Sequence, residues 1–181
     1  TGNELRSVPG MMEHALFLRS VADALELRGH IVRRLEEANV EQDVERRQKL
    51  LRFVVVGGGF SGVETAGQML DMLESAMRFY PALSDAGISP TVTLVHALDH
   101  LLPELDRTLG ERAQRSLEER GLCVILNRRV VSLSADAVHL EDAHFFGGGR
   151  VDDGGEQVAV ENQCAVPGRR GRSGQRDRAP I

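Results

Sequence analysis

From Met11 to Ala38 the apolar positions Leu18, Val21, Leu25, Val32 and Leu35 recur at helical spacing, while Arg19, Asp23, Glu26, Arg33 and Glu37 fall largely elsewhere. Residues three and four apart share one side of a helix, so this pattern predicts one or two amphipathic helices, with Gly29 as the place to break. The charged stretch NVEQDVERRQKL reads as a connector with helical character. The period then changes. Phe53–Val56 is a short apolar run rich in β-branched residues, which suits a strand buried on both faces of a parallel sheet. Gly62 to about Tyr80 reads as a helix, and YPALSDAGISP as a loop punctuated by Pro81, Gly87 and Pro90. Thr91–Ala97 predicts a second strand. PELDRTLGERAQRSLEERG predicts a helix with Pro103 near its first turn and Gly121 placed to end it. LCVILN predicts a third strand, and RRVVSLSADAVHLED supplies two more short ones. Strand, helix, strand, helix, strand is the order of an open parallel α/β sheet. After about Phe145 no period persists, and residues 146–181, rich in Gly, Arg and Asp, are expected to be disordered.

Composition narrows this picture. The 181 residues suit one domain with or without an attached smaller piece, and with aromatics at 4% and no Trp the core must be built from Leu, Val and Ala. The net charge of −5 argues against a nucleic-acid binder, which would present a basic surface to phosphates. Residues 168–181 hold five Arg against one Asp, so the rest of the chain carries −9. Cys123 and Cys164 lie far apart and in no metal-ligand spacing. Neither a metal site nor a disulfide framework is implied, as suits a reducing cytosol, and Cys123 in GLCVIL reads as a buried strand thiol. No apolar run approaches the ~18 residues of a membrane helix.

Candidate chemistry sits where the first strand meets the next helix. Gly57, Gly59 and Gly62 in FVVVGGGFSGVETAGQ satisfy G-x-G-x-x-G, with a strand before and a helix after, the context that a dinucleotide fingerprint needs. The first glycine permits a tight turn, the second lets backbone approach a diphosphate, and the third lets the helix pack close to the strand. The helix start then offers free N–H groups to the phosphates. Ser61 and Glu64 also form S-x-x-E, which reads either as a capping box or as leaving a functional carboxylate at the mouth of the site. The acid expected at the end of the second strand, to bind the adenosine ribose, is replaced by His96, about 35 residues on. His96 suits a ribose hydroxyl or a 2′-phosphate, and Asp99 is close enough in sequence to serve instead, so NAD and NADP both stay open.

FVVVGGGFSGVETAGQ, VTLVHALDHLLPELD and LEERGLCVILNRRVV together resemble the nicotinamide-binding domain of pyridine-nucleotide-dependent flavoprotein reductases. VPGMMEHALFLRSVADALELRGHIVRRLEEA resembles the segment preceding that domain in type II NADH dehydrogenases, which pass electrons from NADH to quinone. The resemblance spans roughly residues 5–140. It implies a Rossmann-like FAD/NAD(P)-binding fold, with a central parallel sheet flanked by helices and a small β-meander, truncated at both ends. Residues 1–50 are then a helical segment left from the interrupted FAD domain, 51–145 the NAD(H)-binding domain, and 146–181 an aberrant tail. The resemblance places Gly57, Gly58, Gly59, Phe60, Ser61, Gly62, Glu64 and His96 at the cofactor, with Glu64 as the catalytic candidate near the nicotinamide. His14, in the EHA segment, is more often a capping or core residue than a catalyst. The implied cofactors are NAD(H) and, in the complete enzyme, FAD, with quinone as acceptor and a homodimer as one assembly. The location implied is cytoplasmic, or peripheral on the inner face of the cell membrane through parts this chain lacks. This chain by itself is expected to bind NADH weakly and not to turn over. Another FAD-dependent reductase, of the ferredoxin or disulfide type, and a non-catalytic nucleotide-binding fragment are the alternatives.

Overall fold

The apolar segments assemble into two small sheets and a layer of helices, seen in a computed structural model that describes residues 7–141 and 158–159. Met11–His14 forms a single turn, α1, and the chain then runs extended before α2 begins at Val21 and continues to Val40. The break therefore falls at Ala15–Ser20 rather than at Gly29. Ser20 decides it. Its hydroxyl accepts the Asp23 N–H at 3.2 Å, and Asp23 accepts the Ser20 N–H at 2.8 Å, a reciprocal cap that fixes the helix start. Gly29 lies inside α2 with open space where a Cβ would stand, so it costs some propensity but breaks nothing. The charged connector does form a helix, α3, Val44–Leu50, capped by Asp43.

Three parallel strands follow: β1, Arg52–Val56; β2, Thr91–Val95; and β3, Cys123–Ile125, in the order β1-β2-β3. Between β1 and β2 come α4, Phe60–Met77, and α5, Pro81–Asp85. The second of these occupies the segment expected to be loop. Pro81 stands at its first position, where a fixed φ favours helix and no N–H is needed. Between β2 and β3 lies α6, Arg107–Glu119. It starts later than Pro103 because Asp106 caps it, accepting the Thr108 N–H at 2.9 Å. Gly121, in the left-handed region at φ 96°, ends it as expected. A second sheet, of antiparallel β4 (Val130–Leu133), β5 (Val138–Leu140) and β6 (Val158–Ala159), completes the order. The disorder expected for 146–181 falls outside the described residues, except for the two residues of β6.

Side chains alternate across the parallel sheet, as strand geometry requires. Phe53, Val92, Leu94 and Val124 join the main core, where Ile31, Leu35 and Ala38 of α2, Ala66, Met69 and Leu73 of α4, and Leu83 of α5 meet them. Val54, Val56, Val95 and Ile125 face the other way, onto a smaller cluster with Met11, Val130 and Leu140. Helices thus cover one face and the β-meander with α1 covers the other. The expectation that the first strand would be buried on both sides holds in part, since of its residues Phe53 is buried and the rest are half-buried. The stripe read on α2 is mostly not core. Leu35 is fully buried, whereas Val21 and Leu25 are 79% and 62% exposed. Among the described residues, the core contacts of that helix run from Leu27 to Ala38, toward its C-terminal end. Cys123 also departs from expectation, being half-buried rather than fully buried.

Candidate cofactor site

β1 and β2 end side by side at their carboxyl edge, Val56 opposite Val95, and the glycine turn leaves from there. Open α/β sheets bind ligands outside this edge. Gly57 donates to the Val95 carbonyl at 2.9 Å and takes φ 111°, a conformation L side chains rarely adopt. A Cβ on Gly62 would lie 1.8 Å from the Gly57 carbonyl oxygen, so only glycine lets α4 start this close to the turn. Gly59 is the N-cap of α4, with extended backbone, and its carbonyl accepts the Val63 N–H at 3.0 Å.

No side chain caps α4. The capping box expected at Ser61 and Glu64 is not formed, because the helix begins two residues earlier and leaves Ser61 inside its first turn. The opening N–H groups of a helix have no intrahelical acceptor, so an uncapped start beside a glycine turn is an anion cradle. Phe60, at the first helical position, is exposed. Glu64 is exposed as well, on the same side of α4 as Gln68 and Asp71. That side lines an open groove of about 300 Å³ against α6, where Arg120 pairs with Asp71 at 2.5 Å. The carboxylate of Glu64 is thus freed from the capping role that sequence allowed it.

His96, directly after β2, is held beneath the turn. Its backbone donates to the Ile125 carbonyl at 2.8 Å, and its Nδ1 accepts the Gly58 N–H at 3.0 Å. An Nδ1 acting as acceptor assigns the proton of the neutral ring to Nε2. Nε2 is buried and has no hydrogen-bond partner among the described residues. Burial lowers the pKa of the ring, the nearby His100 lowers it further, and Glu104 partly opposes them. The neutral tautomer that grips Gly58 is therefore the favoured one. Gly58 is clamped from its other side too, its carbonyl accepting the Leu102 N–H at 2.7 Å. Leu102 sits at φ 53°, rare for a residue other than glycine, and no motif in the chain marks this contact. Asp99, the alternative ribose acid, is engaged elsewhere. It bonds His100 at 2.7 Å and pairs with Arg107, and these contacts lower its pKa to about 2.

A strand, a glycine turn and an uncapped helix at the carboxyl edge of a parallel sheet define a dinucleotide-binding unit of the Rossmann class. Its family is shown by comparison: residues 1–174 match the pyridine nucleotide-disulphide oxidoreductases, and the chain belongs to that family. Over 131 residues it is 36% identical to a type II NADH:quinone oxidoreductase of Mycobacterium tuberculosis, covering 72% of this chain and 28% of that protein. Over 134 residues it is 32% identical to an external alternative NADH-ubiquinone oxidoreductase of Yarrowia lipolytica, covering 74% of this chain and 23% of the relative. The chain thus spans about a quarter of the length of these curated relatives. The fold matches the structure of NDH2 from Plasmodium falciparum in complex with NADH at a TM-score of 0.71 and 19% identity, over 79% of this chain and 29% of that one. No helix among the described residues is long and apolar enough to cross a membrane.

Proposed function

We propose that this chain is the NADH-binding part of an FAD-dependent NADH:quinone oxidoreductase. The observation that carries the reading is the uncapped start of α4 packed on Gly57 through Gly62, which leaves oriented N–H donors at the sheet's carboxyl edge. The relatives named as NADH:quinone oxidoreductases support the choice of reaction. Residues 51–145 form the NADH module, and residues 1–50 belong with the flavin-carrying part of the enzyme. Gly57, Gly58, Gly59, Phe60, Ser61 and Gly62 receive the diphosphate. His96 holds the turn through Gly58, at the end of β2 where the adenosine ribose would lie. Glu64 faces the nicotinamide end. FAD, where bound, accepts the hydride and passes electrons on to quinone. Among the described residues a single strand–glycine turn–helix unit is present, so the flavin is assigned to protein outside them. In the complete enzyme we place this module on the cytoplasmic side, peripheral to the membrane, with a homodimer as its assembly.

Titrating the 181-residue chain with NADH tests the reading. We expect saturable quenching or enhancement of NADH fluorescence, its loss in Gly62→Ala, and no quinone reduction by the chain alone. Substituting Gly62 moves a backbone contact, so circular dichroism on that variant separates lost binding from lost folding. Quinone turnover by the isolated chain, or no fluorescence change at millimolar NADH, would sink it.

A further inference from the structure

The glycine turn has a neighbour that neither the fingerprint nor the assigned cofactor contacts include. Glu104 lies in the connection between β2 and α6, one residue past Pro103. Its carboxylate rests on Gly59, close enough that a Cβ on that glycine would lie 3.2 Å from Oε1 and 4.0 Å from Oε2. Gly59 is the position whose missing side chain lets a diphosphate approach the backbone. In this chain a carboxylate fills part of that space. Glu104 is exposed, and among the described residues no hydrogen bond or ion pair restrains it, so swinging aside costs little. A negative group at the mouth of an anion cradle is attracted by the helix start and repels any phosphate arriving there.

We propose that Glu104 is a specificity-determining residue of the cradle: its carboxylate stands against Gly59 and selects a bridged dinucleotide over free nucleoside di- and triphosphates. This rests on the dinucleotide reading given above. Each phosphate of a bridging diphosphate has one ionisable oxygen, whereas the terminal phosphate of ADP has a second that is largely ionised at neutral pH. The free nucleotide therefore meets more repulsion from the same carboxylate. A dinucleotide brings less charge to the cradle and gains further contacts from its second nucleoside, which offset the displacement of Glu104.

The test titrates the 181-residue chain, Glu104→Gln and Glu104→Ala with NADH and with ADP, at low and at high salt. Removing one exposed like charge at close range should tighten NADH roughly threefold and ADP roughly tenfold at low salt. Glutamine keeps the shape and loses the charge, so it should match most of the alanine effect. Both gains should shrink at ~1 M salt, where charges are screened beyond about 3 Å. The melting temperature without ligand should stay within a degree or two, since among the described residues the carboxylate holds no hydrogen bond or ion pair and acts on His96 only through space. Equal gains for the two ligands, unchanged affinities, or weaker binding in both variants would overturn the proposal while wild-type binding of NADH left the cradle reading intact. An absence of saturable NADH binding in all three chains would instead remove the cradle itself, and the proposal with it.

Discussion

His96 can hold Gly58 only while its Nδ1 is unprotonated. The ring is pushed below its ordinary pKa of 6.5 by burial first and by His100 second. The unfolded chain therefore takes up this proton more readily than the folded one. Native stability is fully expressed above about pH 6.5 and falls as the pH drops through that value toward the folded pKa. His30, also lowered by burial and by Arg34 and Arg33, acts in the same direction. Asp23, Glu41 and Asp106 are held below their ordinary values of 3.8 to 4.5, so their contributions are lost only in more acid solution. Between about pH 7 and about pH 5.5 the histidines thus dominate. His96→Asn keeps an acceptor for the Gly58 N–H and removes the proton. Its melting temperature should fall less over that window than the wild type's, by an amount that leaves a remainder from His30. An unchanged slope would show that the Gly58 contact does not govern the titration. Sequence marked His96 as the residue standing where a ribose acid was expected. It could not show the ring turned beneath Gly58, because that contact spans 38 residues and depends on β1 and β2 lying side by side. Glu104 carried no motif at all, and only the folded chain brings it to Gly59.

At the level of elements, period was legible and partnership was not. The order β1, α4, β2, α6, β3 follows from β-branched runs alternating with helical spacing, which are properties of the chain itself. Where helices begin also depends on local chemistry, and here two local signals competed with the motifs. Asp106 outranks Pro103 at the start of α6, and Gly59 outranks Ser61 at the start of α4, since a turn that packs α4 against the Gly57 carbonyl leaves no room to start later. Burial along α2 depends wholly on neighbours. Ile31, Leu35 and Ala38 meet the main core, while Val21 and Leu25 present the same helical spacing to solvent. Truncation should separate the two groups. Leu35→Ala leaves a cavity in packed surroundings and should lower unfolding free energy by about 2–5 kcal/mol in urea titrations. Leu25→Ala should stay within about 0.5 kcal/mol, as for surface sites generally. A large loss at Leu25 would mean that the outer stripe of α2 is covered in this chain in solution.

Across the whole molecule, the two faces of the parallel sheet are held very unequally. Among the described residues, seventeen buried side chains form the core on the helical side, whereas the meander side rests on four: Met11, Val95, Val130 and Leu140. The satellite is tied on by a few backbone contacts. Leu133 donates to the Pro9 carbonyl at 2.9 Å, and Gly10 lies so close to the Leu133 carbonyl that a Cβ there would stand 2.0 Å from its oxygen. Regions with little buried apolar surface open locally at lower free energy than the global transition. β4 and β5 should therefore exchange their amide hydrogens through local opening, while β1 and β2, which pair along five residues and join both clusters, should exchange only on full unfolding. Met11 is 3% exposed and supplies α1's anchor to that cluster. Met11→Ala should accelerate exchange in β4 and β5 by about tenfold or more, equivalent to ~1.4 kcal/mol of local stability, and leave β1 and β2 nearly unchanged. If all strands accelerated together, the meander and the parallel sheet would be a single cooperative unit. The glycine turn, which hangs from β1 and β2, would then share its stability with every residue on the far face.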